Sequence, residues 1–394
     1  MRRFGCGWIR QNIPALVSAV ALMLVLVGCA KRPSKTERVV PPAPERFSLR
    51  AGALRPPEKG VYQGAFPDLP KGDLQNIASN VRAMERLTGK NLTWVQFEND
   101  WAESTEFPWQ AVDEILKMGR IPYIRILPRS RTDQNLGADP VYTMENFLKG
   151  YFDDVLRQWA ALAKTVDQPI IIEFAPEVNG NWYPWNGQWN GGAETAQYGD
   201  PQLADGPERF RDVYRRVIDI FKTARADKVT WVFHVDSQPQ PKEEWNQMAH
   251  YYPGDEYIDW IGVSVFGAQV PGDYWNSFTA VLDNTYNELV SISPLKPVAI
   301  VEFATIEHPS DVMGKARWIQ EALFSLQAGW YPHVRAISYW HERSWTGDPA
   351  QNLRVDSSLN ALDAYRNGIQ NDFFIGDAFF MKQEQTGEAG APSP

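Results

Sequence analysis

Eight short apolar runs alternate along the chain with stretches whose apolar residues recur every three to four positions. The runs occupy residues 60–63, 92–97, 121–126, 170–174, 229–234, 258–265, 298–303 and 334–340. The helical patterns occupy residues 74–87, 109–118, 144–165, 208–224, 276–292, 312–327 and 357–369, and residues 243–250 predict only a short helix. Such alternation predicts a parallel sheet. Eight units that close on themselves predict an α/β fold, a (β/α)8 TIM barrel in a single domain. The alternative is a doubly wound open sheet, whose usual glycine-rich first turn this sequence does not show.

The first 28 residues have the features of a signal peptide. Three arginines lie within the first ten residues, an apolar stretch follows at 15–27, and Leu-Val-Gly-Cys29 ends it. This ending resembles a bacterial lipobox, which implies cleavage before Cys29 and lipidation of its thiol. An uncleaved single-span anchor is the alternative, although the apolar run is short for a spanning helix. We expect a lipid-anchored, extracytoplasmic protein of the cell envelope. Ala30 after the cysteine favours the outer over the inner membrane by analogy with lipoprotein sorting.

The segments on either side of the alternating region differ from it in composition. Residues 29–57 contain six prolines with interspersed charges, which predicts an extended tether. The last residues, 381–394, are polar and predict a disordered tail. The catalytic domain is therefore expected at 58–380.

Charge and histidine content exclude several functions. The formal net charge is −9 without a basic stripe, so nucleic-acid binding is not expected. The five histidines show no paired metal-ligand spacing, so we expect neither a catalytic metal nor another cofactor. The 16 tryptophans are compatible with a carbohydrate site. We expect a monomer that binds a polysaccharide or oligosaccharide.

Two glutamates lie where buried strands end, which is where barrel enzymes place their active sites. Glu177 follows the fourth strand and enters a loop with Asn179, Trp182 and Trp185, and Glu302 lies near the end of the seventh strand. A pair of carboxyl groups can cleave a glycosidic bond, and indole rings can stack on a sugar. The structural alternatives are that the two tryptophans plug the rim of the core and that Glu302 forms a buried ion pair.

The segment Phe174–Trp185 resembles the acid/base motif of glycoside hydrolase family 26, whose members include β-mannanases and mixed-linkage β-glucanases on (β/α)8 barrels. The resemblance covers roughly residues 58–372. Further similar stretches are residues 60–64, 207–221, 252–262, 297–303 and 354–358. The resemblance implies that Glu177 is the general acid/base and Glu302 the nucleophile. It also implies that the sugar platforms are Trp182, Trp185 and Trp340, and we expect Asn179 and Phe266 to contact the substrate as well.

The sequence departs from this family at three positions. Pro176 replaces a common histidine, Glu173 replaces a common arginine, and Phe266 stands where a tyrosine often supports the nucleophile. Strand alternation puts Glu173 on the same side as Glu177 but deeper in the barrel. Glu173 must then be protonated or paired, and Arg125 or Arg335 on neighbouring strands are candidate partners.

Other residues at strand ends are candidates for the rim of the site. Trp101 after the second strand and His234 at the end of the fifth either contact substrate or pack structurally. His341, Glu342 and Trp345 follow the eighth strand and are expected at the rim near the substrate.

Together these features predict a retaining, endo-acting glycoside hydrolase of the mannan endo-1,4-β-mannosidase kind. Its substrate would be a neutral β-linked polysaccharide of the β-mannan or β-1,3-1,4-glucan type. The departures at residues 173, 176 and 266 motivate an alternative, a non-catalytic glycan-binding or polysaccharide-assembly lipoprotein on the same barrel.

Overall fold

The computed structural model describes residues 40–377, except for 70–73, 134, 136 and 344–347. Cys29, Trp345, the signal segment and the residues from 378 onwards lie outside the described part of the chain. Within it, no helix is long and apolar enough to cross a membrane.

Eight parallel strands close into a barrel, as the alternation of apolar runs predicts. The strands are β1 (Val61–Pro67), β2 (Trp94–Asp100), β3 (Ile121–Leu127), β4 (Ile170–Phe174), β5 (Val229–Asp236), β6 (Trp260–Phe266), β7 (Val298–Ala304) and β8 (Val334–His341). Each strand pairs with the next, β8 pairs with β1, and β1 also pairs with β2, which completes the circle. A two-residue strand, β9 (Phe374–Ile375), adds to β1 after the last helix. The predicted (β/α)8 barrel is therefore confirmed.

Helices cover the outside of the barrel. They are α1 (Ile77–Thr88), α2 (Trp109–Lys117), α3 (Met144–Leu148), α4 (Asp153–Lys164), α5 (Asp205–Ala224), α6 (Phe278–Ile292), α7 (Gly314–Gln327) and α8 (Leu359–Ile369). The strands are buried almost throughout because they pack against helices on one face and the barrel interior on the other. This double burial explains why they appear in the sequence as continuous apolar runs.

Two helical predictions needed refinement. The helix expected over 144–165 divides into α3 and α4, because Gly150 between them has a φ of 82° and interrupts the helical backbone. The segment after β5 forms two short 3-10 helices, Glu244–Asn246 and Met248–Tyr251, in place of one short α-helix.

The segment expected to be a tether belongs in part to the domain. Residues 48–54 cross the N-terminal end of the barrel, where the Leu54 amide donates to Thr230 Oγ1 at 2.8 Å. The Leu54 carbonyl accepts from the indole of Trp260 at 2.9 Å, and Arg50 forms an ion pair with the buried Asp259. The domain boundary expected at residue 58 is thus too late, since this strap, residues 48–54, closes the bottom of the barrel.

Candidate active site

The loop that carries Glu177 leaves β4 in an unusual backbone conformation. Ala175 and Glu177 have φ values of 54° and 51°, in the left-handed region that residues other than glycine rarely adopt. Such residues cost on the order of 1–3 kcal/mol each and cluster at functional sites. The surrounding structure holds them in place, because the Trp185 indole donates to the Pro176 carbonyl at 2.7 Å.

The same loop is fixed to the end of β5 by the side chain of Asn179. Its amide oxygen accepts from the Asp236 backbone amide, and its amide nitrogen donates to the Asp236 carbonyl, both at 2.8 Å. The Asn246 side chain also donates to the Asn179 carbonyl at 2.9 Å. These bonds aim the Glu177 side chain at the open end of the barrel, where the Trp182 indole donates to Glu177 Oε2 at 2.9 Å.

Glu302 approaches the same opening from β7 and is almost completely buried. One guanidinium nitrogen of Arg125, Nη2, lies 2.6 Å from Glu302 Oε1. The contact is an ion pair without hydrogen-bond alignment, since Oε1 has no hydrogen-bond partner among the described residues. Arg125 itself is on β3, so this contact crosses the barrel interior.

Arg125 is also the partner of Glu173. Its Nε donates to Glu173 Oε1 at 2.6 Å, and Tyr123 donates to Glu173 Oε2 at the same distance. Of the two partners predicted for Glu173, Arg125 is therefore confirmed, whereas the Arg335 guanidinium lies over the ring of Phe47. Glu173 stands on β4 where the family commonly has an arginine, and Arg125 on β3 supplies a positive charge at the same level of the barrel.

The buried carboxyl groups of the site differ in their proton affinity. Burial raises the pKa of Glu302 well above its usual range; Arg125 opposes that rise, and the charges of Glu177 and Glu173 add to it. Burial would raise the pKa of Glu173 too, but His234, Arg125 and Tyr123 outweigh it and lower the pKa to about 2. Glu173 is therefore a permanent anion, whereas burial favours the protonated form of Glu302.

A cavity of about 720 Å³ opens at the C-terminal ends of the strands. Five residues singled out from the sequence as catalytic or sugar-contacting line it together: Glu177, Glu302, Trp182, Phe266 and Trp340. The Trp340 ring stacks on Phe66 with centroids 4.1 Å apart, and its indole donates to Glu342 Oε2 at 2.8 Å. Burial, and after it the charge of Glu98, raises the pKa of Glu342 to about 7.

Four predicted substrate contacts have structural positions instead. Trp185 is fully buried and stacks on Tyr183 at 4.3 Å, and Asn179 is fully buried in its contact with Asp236. Trp101 packs among the aromatic rings of α3 and its flanking loops. His234 lies beneath the cavity, where its Nε2 is 2.8 Å from Ser264 Oγ and its Nδ1 is 3.2 Å from Glu173. Trp345 is outside the described residues.

The structure describes two of the residues predicted at the rim near the end of β8: His341, the last residue of the strand, and Glu342. Only Glu342 lies at the cavity. His341 is buried, and its Nδ1 accepts from the Val355 amide at 3.0 Å, so it fastens the following loop.

Sequence reasoning missed Glu98 and did not foresee the Arg125 contact with Glu302. Glu98 lines the cavity, and its Oε1 accepts from Arg125 Nη1 at 2.9 Å. A signal was available, because Glu98, Arg125 and Glu173 are direct partners in the registers of β2, β3 and β4. Residues at one level of neighbouring parallel strands point to the same face, so three charges at one level predict an interior ion-pair network.

Glu173, His234 and Glu302 also offer potential metal-ligand atoms that lie within 4.8 Å of one another. Arg125 contacts both carboxylates of this group at 2.6 Å. A guanidinium already supplies the positive charge that a cation would bring, so we assign the cluster to the ion-pair network.

The cavity at the C-terminal end of this TIM barrel therefore brings together two tryptophans and two glutamates, and glycoside hydrolases use a pair of carboxyl groups at such a position. The family model for Glycosyl hydrolase family 26 matches residues 132–346, which is more than half of the chain. The chain belongs to this family.

Individual relatives agree with that membership. Endoglucanase H of Acetivibrio thermocellus is 29% identical over 328 residues, which cover 82% of this chain and 32% of that protein. A beta-1,3-xylanase of an Alcaligenes species is 25% identical over 126 residues, which cover 32% of this chain and 22% of that protein. The chain thus spans a third or less of the length of these relatives.

Solved structures share the fold. The catalytic domain of a family 26 endo-beta-1,4-mannanase from Bacillus sp. JAMB-750 superposes with a TM-score of 0.60 at 15% identity, covering 82% of this chain and 89% of that one. A beta-mannanase from a symbiotic protist of the termite Reticulitermes speratus gives a TM-score of 0.53 at 15% identity, over 85% of this chain and 96% of that one.

Proposed function

We propose that this family 26 glycoside hydrolase cleaves a neutral β-linked polysaccharide internally and with retention of configuration. The observation that carries the proposal is the convergence of Glu177, Glu302, Trp182 and Trp340 on one cavity. The relatives' names point to β-glucan, β-mannan and β-xylan backbones. Of these we favour a β-mannan or a β-1,3-1,4-glucan.

In the proposed reaction, a Glu302 carboxylate oxygen attacks the anomeric carbon while Glu177 transfers its proton to the glycosidic oxygen. The glycosidic bond breaks, the aglycone leaves as an alcohol, and a covalent glycosyl-enzyme forms on Glu302. Glu177, now ionised, removes a proton from water, whose oxygen attacks the same carbon and releases Glu302. Two inversions give net retention, and each glutamate regains its starting protonation state.

The charges around the cavity support this division of roles. A retaining pair needs one protonated and one ionised carboxyl group at rest. The guanidinium of Arg125 contacts Glu302 and not Glu177, so it stabilises the ionised form of Glu302 against the burial that raises the pKa of this group. The indole of Trp182 donates to one Glu177 oxygen, Oε2, and the other oxygen is then the one that carries the proton.

The charge of the cavity favours a neutral polymer. Carboxyl groups at its wall include Glu98, Asp133 and Asp273 in addition to the two proposed catalytic groups. The two arginines at the wall are each engaged with carboxylates, Arg125 with three glutamates and Arg129 with Asp100. A uronic-acid polymer would therefore meet net repulsion.

A polysaccharide panel with a stereochemical readout tests the proposal. Mannan, lichenan and xylan are incubated with the protein, and the first-formed anomer is followed by proton NMR. Oligosaccharides of several lengths with the β-anomer first are expected. An α-anomer first would contradict retention, and an inert protein that binds one of these glycans would favour the non-catalytic alternative.

Two alanine variants separate the roles of the glutamates. Glu302→Ala should lose hydrolysis, and azide should restore turnover with an inverted glycosyl azide as product. Glu177→Ala should still form the glycosyl-enzyme from substrates with good leaving groups, and azide should give a retained product. Equal and unrescued loss in both variants would contradict the assignment.

We further propose that Cys29 is lipidated and anchors the enzyme in the cell envelope, favouring the outer membrane. The basic start, apolar stretch and Leu-Val-Gly-Cys29 ending of the sequence support this. The parent protein should sediment with membranes, and Cys29→Ala should be released or keep its signal segment. Identical fractionation and electrophoretic mobility of the two would contradict lipidation.

A further inference from the structure

The guanidinium group of Arg125 contacts side chains from four other strands of the barrel. The three nitrogens of Arg125 contact three glutamates: Nε reaches Glu173 at 2.6 Å, Nη1 reaches Glu98 at 2.9 Å, and Nη2 reaches Glu302 at 2.6 Å. The guanidinium carbon also lies 4.8 Å from the centre of the Trp340 ring. A single side chain therefore links β2, β3, β4, β7 and β8 at the level of the cavity floor.

This arrangement leaves the arginine little freedom to move. Arg125 is almost fully buried, and Glu98, Arg125 and Glu173 are paired at one level of β2, β3 and β4. The planar, forked guanidinium donates to Glu173 and Glu98 in fixed directions and thereby places Nη2 beside Glu302, which a lysine ammonium cannot reproduce. The position of Glu302 Oε1 is consequently set by two other glutamates through the arginine.

We propose that Arg125 is the positioning residue of the nucleophile: it holds Glu302 by Oε1 and faces the carboxylate with its positive charge, so that Oε2 is left to attack the sugar. Glu98 and Glu173 hold the guanidinium in turn. This inference rests on the proposed role of Glu302 as the nucleophile and adds the group on which that role depends.

The charges that face Glu302 support the need for such a group. Glu177, Glu173 and Glu98 all oppose ionisation of Glu302, and so does its burial. Among the described residues that influence it, Arg125 is the one that favours the ionised form. Loss of Arg125 would therefore raise the pKa of Glu302 further and reduce the ionised fraction that can act as a nucleophile.

Three variants and the pH dependence of kcat/KM test the proposal. In Arg125→Met, the acid limb of the profile should move up by about 1–3 pH units, the range for loss of a close opposite charge. Arg125→Lys should show a smaller upward shift together with a lower kcat, since it keeps the charge but loses the fork. Glu98→Gln should move the limb to lower pH, because the amide oxygen still accepts from Arg125 but no longer competes for its charge.

Arg129 provides the matched control. It follows the same strand, is similarly buried and lines the same cavity, but its contacts go to Asp100 and not to Glu302. Arg129→Met should therefore leave the acid limb at the position of the parent, whatever it does to the rate. A limb that moves equally in both arginine variants would show a non-specific effect and would overturn the proposal.

A readout that does not require activity separates this inference from the proposed function. The carbon-13 carboxyl signal of Glu302 is assigned by its absence in Glu302→Gln and titrated in each variant. It should titrate at higher pH in Arg125→Lys and at lower pH in Glu98→Gln than in the parent. Unchanged titration would overturn the positioning role even if Glu302→Ala is inactive and rescued by azide, whereas the expected shifts in an inert protein would refute only the catalytic role.

Discussion

At each end of the barrel an arginine forms an ion pair with a buried carboxylate, but the surroundings of the two arginines differ. At the N-terminal end, Arg50 pairs with Asp259, and Asp259 also accepts from the Trp231 amide at 2.9 Å. The strap adds backbone bonds and the buried side chain of Leu54. At the C-terminal end, Arg125 faces three glutamates, and Glu302 Oε1 lacks a hydrogen-bond partner among the described residues.

The comparison separates stability from function. Buried polar groups are normally hydrogen-bonded, so one that is not requires an explanation. At the bottom the charges are matched and covered by protein. At the C-terminal end the carboxylates outnumber the cations, and Ala175 and Glu177 carry backbone strain. Such unsatisfied charge and strain are expected of a site that is complementary to a transition state and not to the free protein.

The largest expected effect comes from removing the charge of the proposed nucleophile at the top. Glu302→Gln keeps the shape of the side chain but cannot form a glycosyl-enzyme. We expect kcat to fall on the order of 10⁴-fold or more, the upper part of the range for a single catalytic group. The melting temperature at pH 7 should not fall, since the burial that opposes ionisation of Glu302 does not act against a neutral amide. A variant that loses stability together with activity would show that Glu302 supports the fold.

The second prediction concerns Trp182 and Trp185, two tryptophans of the loop after β4, and separates a role in stability from a role in substrate binding. Trp185 is fully buried and Trp182 lines the cavity. Trp185→Ala should cost about 3–5 kcal/mol of unfolding free energy because it opens a large internal space. Trp182→Ala should cost much less but weaken oligosaccharide binding, measured by calorimetry on folded protein. If both variants behave alike in unfolding and in binding, the division within this loop is wrong.

The bottom ion pair should affect stability and leave catalysis intact. Asp259→Ala removes the partner of Arg50 and the acceptor of the Trp231 amide. We expect a loss of about 3 kcal/mol in urea unfolding, at the low end for a broken buried pair because Arg50 is partly exposed. Activity per folded molecule should match the parent. Asp113→Ala, which breaks the exposed pair with Lys117, is the control and should leave the stability almost unchanged.

The sequence was sufficient for the architecture and for the two glutamates, for a physical reason. Parallel strands buried on both faces produce uninterrupted apolar runs, and an acid at the end of such a run can only lie at the barrel rim. The positions of Glu177 and Glu302 at the cavity follow from this.

Loop side chains could not be assigned in the same way. Trp182 and Trp185 are three residues apart in an irregular segment without periodicity, so nothing local shows which one faces the cavity. The strap is a similar case, because its proline-rich composition matches a flexible tether. Its order comes from distant partners, Asp259 and Trp260, that lie more than 200 residues away in sequence.

The smallest expected effect concerns Glu342, a carboxyl group at the C-terminal end of the barrel that is partly protonated at neutral pH in the folded state. Its pKa of about 7 lies above the value of about 4.5 in the unfolded chain, so the folded state binds more protons between these pH values. Stability should then decline as pH rises from about 4.5 to 7. Glu342→Gln still accepts the Trp340 indole and does not titrate. The free energy of unfolding of this variant should equal that of the parent near pH 4 and exceed it above pH 7 by on the order of 1–3 kcal/mol.

Glu173→Gln is the contrasting variant. Because the pKa of Glu173 is lowered to about 2, its stabilisation is present above about pH 4.5 and is lost as pH falls towards 2. That variant should therefore be less stable than the parent at pH 7. Urea unfolding of both variants from pH 4 to 8 measures the two differences, and a pH-independent difference for Glu342→Gln would show that folding does not raise the pKa of Glu342.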